Sequence, residues 1–89
     1  MKAVLLYETG TTPVEAFRTA FPRHKAVMDP LIEQKEVLGV GTFNGGKNGS
    51  MAIFKNREAA EAFVNKDPFV TEGLVVKYTV HDWDDQLIG

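Results

Sequence analysis

The stretch KAVLLYE, residues 2 to 8, is apolar on both sides of a strand. With side chains alternating at period two, Ala3, Leu5 and Tyr7 fall on one face and Val4 and Leu6 on the other. The run from Ser50 to Lys55 repeats the arrangement, with Met51 and Ile53 opposed to Ala52 and Phe54. Such strands belong inside a sheet that is covered on both faces. The chain has 89 residues, enough for one domain and one core but too few to lay helices over two sheet faces. Helices therefore cover one face, and the other stays bare unless a partner packs there. At roughly 25 cal/mol per Å² of apolar area, leaving such a face in water forgoes several kcal/mol and invites aggregation. A homodimer packed through the open sheet face is the expected answer.

The remaining elements follow from turn chemistry and periodicity. TGTTP ends the first strand, and Thr12 as N-cap, Pro13 at the first helical position and Glu15 three residues after the cap spell a capping box. Val14, Phe17 and Phe21 share a helix face that continues through His24, Met28 and Leu31, so a histidine interrupts an apolar seam. Pro22 and Pro30 predict two abutting helical pieces, 13 to 21 and 22 to 35. Val37 to Phe43 and Ser50 to Lys55 are strands joined through NGGKNG, whose residues favour the positive φ values of a hairpin. Asn56 caps a helix from Arg57 to Asn65, with Ala59, Ala60, Ala62 and Phe63 forming a packing surface and Arg57, Glu58 and Glu61 a wet face. Pro68 closes that helix. Leu74 to Trp83 is the last strand, and the tail DDQLIG is unassigned. With no repeat, low-complexity segment or linker, residues 1–89 read as a single α+β domain. Its order β-α-β-β-α-β is the split βαβ arrangement of a ferredoxin-like fold.

Composition narrows the function. Lys and Arg total 10 against 12 Asp and Glu, and the basic residues are scattered rather than striped, which argues against nucleic acid. Cysteine is absent, so disulfides, thiolate nucleophiles and thiolate metal sites are excluded. No apolar stretch approaches the roughly 20 residues that span a bilayer, and Met1-Lys2 leads directly into a strand; the expectation is a cytoplasmic protein with no membrane partner. GTFNGGK, residues 41 to 47, has the spacing of a phosphate loop up to its lysine. Asn48 stands where Ser or Thr would meet magnesium, however, and no helix pattern follows, so a hairpin fits better. HDWDD, residues 81 to 85, gathers a histidine and three carboxylates, but Asp82 points away from His81 and Trp83 on a strand, and no metal site is expected.

Four stretches carry a family resemblance: His24 opening a helix, the run to VLGVGTF, then REAAEAFVNKDPF, and the closing GLVVKYTVHDW. In their order and spacing they resemble the YCII-related family of small dimeric α+β barrel proteins, along nearly the whole chain. The resemblance implies a homodimer, an active-site histidine at His24 and an aspartate at Asp67. One characterised branch of that family removes chloride from a chlorinated hydroxyhydroquinone without a metal or organic cofactor, so no cofactor is expected. The sequence departs from the family pattern at Lys35, where a glycine is common, and at Thr42, where proline follows the strand glycine.

A carboxylate that accepts one imidazole N–H fixes the tautomer and leaves the other nitrogen to move a proton. His24 and Asp67 as a catalytic pair suit cofactor-free proton abstraction or elimination on a small oxygenated ring or enolisable metabolite, a lyase- or isomerase-type reaction. The competing reading is that His24 satisfies a helix-start hydrogen bond and Asp67 caps a turn. Tyr7, Phe43 and Phe69 are the candidates to line a substrate cleft, with Tyr7 able to donate a hydrogen bond to a ligand oxygen; the same aromatics also suit a core or a dimer interface. With no nucleophile or metal set in view, a non-catalytic homodimeric ligand-binding or accessory module is the alternative function.

Overall fold

A computed structural model describes residues 1–86; the last three residues of the unassigned tail lie outside it. Strands β1 (Lys2–Glu8), β2 (Val37–Thr42), β3 (Ser50–Phe54) and β4 (Lys77–Trp83) form one sheet in the order β2-β3-β1-β4, with every neighbouring pair antiparallel. Helix α1 (Val14–Glu33) connects β1 to β2, and α2 (Arg57–Val64) with the short α3 (Pro68–Thr71) connects β3 to β4. This is the ferredoxin-like α+β fold. The face of β1 carrying Ala3, Leu5 and Tyr7 is buried under the helices, where it meets Phe54, Ala60 and Phe63. Val4, Leu6, Met51 and Ile53 occupy the opposite face, as the alternation predicts, and remain partly exposed.

Helix α1 runs unbroken through Pro22 and Pro30 instead of dividing into pieces 13 to 21 and 22 to 35. Each interior proline deletes one backbone bond and crowds the carbonyl four residues earlier. Both prolines are exposed, as are Arg18 and Ala26, whose carbonyls lose those bonds. Water can serve carbonyls on a solvent-facing side, where helices tilt such groups outward anyway. The opposite side keeps a continuous packed stripe of Ala20, Val27, Met28 and Leu31.

The predicted capping box does not form. Pro13 occupies the N-cap without a side-chain bond, Thr12 Oγ1 donates instead to the Leu74 carbonyl oxygen at 2.7 Å, and Glu15 pairs with Arg18 at 2.8 Å. A tertiary contact has outcompeted a local one. At the other end α1 stops in a Schellman turn: Glu36 N–H donates to Leu31 O at 2.9 Å and Lys35 N–H to Ile32 O at 3.1 Å, with Lys35 at φ 59°. A left-handed position after a helix favours glycine, which has no Cβ to clash there. Lys35→Gly is therefore expected to stabilise the protein by about 1 kcal/mol, raising the thermal midpoint by roughly 5 °C. An unchanged or lowered midpoint in a melting curve would contradict that.

The NGGKNG hairpin is present, with a 3₁₀ turn at Asn44–Gly46. Asn56 caps α2 through Oδ1, which accepts from Ala59 N–H at 2.8 Å. Two boundaries differ at the last connection. Pro68 opens α3 rather than merely closing α2, because Asp67 serves as its N-cap and a proline at the first position needs no donor. β4 begins at Lys77, since Leu74 and Val75 donate their N–H groups to the Phe69 carbonyl and not to the sheet.

Candidate active site

Three elements that are distant in sequence converge above the C-terminal end of β1. Tyr7 stands near the end of that strand on its helix-covered side. His24 projects from the middle of α1, and Asp67 caps α3. The imidazole Nδ1–H donates to Asp67 Oδ1 at 2.8 Å, the Tyr7 hydroxyl donates to Asp67 Oδ2 at 2.6 Å, and the Phe69 N–H also donates to Oδ1 at 3.1 Å. Asp67 is 0% exposed, so these three donors replace all of the water its carboxylate has lost. Asp67 is thus both the turn cap of the competing reading and the hydrogen-bond partner of the histidine.

Aromatic rings also flank the imidazole. Phe69 stacks on it with centroids 4.0 Å apart and planes inclined by 6°, while Phe63 meets it edge-on at 5.9 Å and Phe17 meets Phe69 edge-on at 5.1 Å. With Nδ1 engaged, the second nitrogen Nε2 has no hydrogen-bond partner among the described residues. No buried side-chain polar atom among those residues lacks a partner, so Nε2 must be accessible. It opens on a cleft of about 730 Å³ between α1 and the β2–β3 half of the sheet. The walls are largely apolar. Val14 and Phe21, on the apolar seam read from the sequence, are 55% and 49% exposed and line the cleft, because the packed side of α1 is centred on Val27 and Leu31 rather than on them.

Of the predicted substrate residues, Tyr7 and Phe69 line the cleft. The Tyr7 hydroxyl donates its hydrogen bond to Asp67 Oδ2, so its oxygen is left to a ligand only as an acceptor. Burial first, then the hydrogen bond to Asp67, pushes that hydroxyl far above the usual phenol range, so it stays a donor. Phe43, just before the 3₁₀ turn, is 38% exposed and is not part of the cleft lining, whereas its neighbour Thr42 is. Phe17 and Phe63, which box the imidazole pair, were legible only as apolar packing positions; the seven-residue spacing of Phe17 and His24 on α1 is the one signal that links them. Arg23, next to His24, grips Glu72 at the end of α3 through two bonds of 2.9 and 2.7 Å and holds its carboxyl below the usual range, tying α1 to α3 beside the pair. Elsewhere, Asp82 and Asp85 pair with Arg57 and Lys2, and among the described residues no group of three or more His, Asp or Glu side chains converges. No helix among them is long and apolar enough to cross a membrane.

A family model, the YCII-related domain, matches residues 1–84. No curated protein matches the chain. Among solved structures, the chain is similar to the 5-chloro-2-hydroxyhydroquinone dehydrochlorinase TftG from Burkholderia phenoliruptrix AC1100, solved in complex with 2,5-dihydroxybenzoquinone. The TM-score is 0.76 at 21% identity, over 97% of this chain and 96% of that one. It is also similar to a conserved protein from Methanosarcina mazei Go1, with a TM-score of 0.54 at 11% identity over 90% and 89% of the two chains. A further likeness is to SnoaB, a cofactor-independent oxygenase from Streptomyces nogalater, with a TM-score of 0.50 at 14% identity over 97% and 94%. At these identities the likenesses establish the fold.

Proposed function

The chain belongs to the YCII-related family, and from that premise and the geometry of the cleft we propose that it is a cofactor-independent enzyme moving a proton on a small oxygenated ring or enolisable metabolite. The observation that carries the reading is the hydrogen bond of 2.8 Å from His24 Nδ1 to Asp67, with Nε2 turned to an apolar cleft. Neutral His24 then presents a lone pair to the guest, and Asp67 steadies the imidazolium that forms. An apolar wall strengthens such a charge pair relative to water.

For a ring that carries hydroxyls and a leaving group, the steps balance without a redox partner. His24 Nε2 takes a proton from one hydroxyl and delivers it to the carbon bearing the leaving group. That group departs with its bonding pair as a second hydroxyl loses its proton. The net products are a quinone, a proton and the leaving anion. The test is chloride release from 5-chloro-2-hydroxyhydroquinone, followed alongside binding of 2,5-dihydroxybenzoquinone. Release above the uncatalysed rate supports the enzyme; saturable binding with no release assigns the cleft to a ligand-binding module instead.

The second part of the proposal is a homodimer through the open sheet face. Val4, Leu6, Met51 and Ile53 make an apolar centre there, Trp83 pairs with Lys2 at one end of the same face, and Glu8 lies 3.8 Å from Lys77 at the other. An apolar centre with charges of both signs at its ends suits a two-fold contact with a second copy. Sedimentation velocity at micromolar concentration is expected to give a dimer for the native chain and a monomer for Leu6→Lys; a native monomer would overturn this assembly.

A further inference from the structure

Asp67 divides its two oxygens unequally. Oδ1 accepts from His24 Nδ1 and Phe69 N, whereas Oδ2 has a single donor among the described residues, the Tyr7 hydroxyl at 2.6 Å. The carboxylate is fully buried, so removing that donor leaves one of its oxygens with neither protein nor bulk water. A carboxylate in that state rotates about its Cβ–Cγ bond to share the remaining donors, and the rotation carries Oδ1 off the imidazole. Tyr7, by contrast, cannot easily move. It sits on a central strand, paired with Ser50 of β3 on one side and Tyr78 of β4 on the other.

We propose that Tyr7 is a positioning residue for His24: its hydroxyl locks the plane of the Asp67 carboxylate, and through it the direction in which Nε2 faces the cleft. The sheet thereby sets the aim of a side chain carried by a helix. Phe69 N–H, on the short α3, orients Oδ1 only within its own turn, so the hydroxyl is the link to the sheet. Its high proton affinity, caused mainly by burial, keeps that link intact across the pH range in which a histidine works. For its catalytic consequence this inference rests on the proton-transfer reading above; for its geometry it does not.

Proton NMR of the His24 Nδ1–H, assigned by its absence in His24→Gln, tests the geometry without substrate. In the native protein this resonance should be downfield and slow to exchange. In Tyr7→Phe it should broaden or vanish through exchange while the amide pattern of the sheet persists. A merely structural hydroxyl would lower the melting temperature and leave the resonance sharp, and that result overturns the proposal.

The chain has two tyrosines, so 3-fluorotyrosine incorporated in a Tyr78→Phe background alters position 7 alone. The fluorinated hydroxyl is a stronger donor, draws charge from the carboxylate and moves the resonance upfield. No movement there overturns the coupling, however well Tyr7→Phe folds. On 5-chloro-2-hydroxyhydroquinone, Tyr7→Phe is expected to lower kcat about tenfold or more with KM little changed. Absence of turnover by the native protein would count against the proposed reaction and not against the positioning role, which the resonance decides.

Discussion

His24→Ala is expected to lower release of chloride from 5-chloro-2-hydroxyhydroquinone by about 10²- to 10⁴-fold, the range that positioned proton transfer contributes. The imidazole is the one ionisable group in the cluster that has a polar atom both fixed by the protein and open to the cleft. Tyr7 and Asp67 are buried and spend their polar atoms on each other and on His24. No neighbouring side chain can therefore inherit the role. Alanine also removes the ring stacked on Phe69 and one donor from a buried carboxylate, so loss of activity through unfolding must be told apart from loss of chemistry. His24→Gln serves that purpose, because its amide N–H can still reach toward Asp67 while offering nothing that titrates. Both variants should bind 2,5-dihydroxybenzoquinone within a few-fold of the native protein. Undiminished release by either variant would remove His24 from the mechanism.

The largest effect on stability is expected at Gly49. This residue lies just before β3 at φ +93°, and a Cβ built there would overlap the carbonyl oxygen of Tyr7, backbone that has no free rotation with which to yield. Alanine thus meets two penalties: the left-handed conformation and a collision inside the β1–β3 ladder. Together they cost about 3 kcal/mol or more, equivalent to a fall in melting temperature of at least roughly 10 °C for a domain of this size. The control lies four residues away. At Gly45, φ is +69° but an added Cβ meets open space, so Gly45→Ala carries the conformational cost alone. Equal melting temperatures for the two variants would show that the close approach at Gly49 yields easily. The consequence reaches the site, because the strand pushed aside carries Tyr7, and Gly49→Ala is expected to disturb the His24 Nδ1–H resonance even in the fraction that stays folded.

Much of the fold was legible because it depends on local signals. Alternation in β1 and β3, glycine and asparagine in the hairpin and the Asn56 cap each act within a few residues, and all three appear where the sequence places them. Thr12 shows where local reasoning fails. Its hydroxyl had a good partner nearby in sequence and took a better one at Leu74. The two prolines of α1 fail as breakers for a related reason, since a rule about isolated helices does not count the stripe that the sheet buries on the other side.

The pairing of His24 with Asp67 was suggested by family resemblance, and by residue type only as one of two readings. The sequence by itself determined which groups were available: one histidine in an apolar helical seam, an aspartate before a proline, aromatics near both, and no thiol. Only the tertiary structure decided their relations, namely that Asp67 is wholly buried, that the Tyr7 hydroxyl donates a hydrogen bond to it, and that Phe43 is not part of the cleft lining. The physical reason is one of range. Strand alternation and turn preference act between neighbours along the chain, whereas the 2.6 and 2.8 Å bonds of the site join residues 60 and 43 positions apart, and their geometry exists only once the sheet and helices have packed.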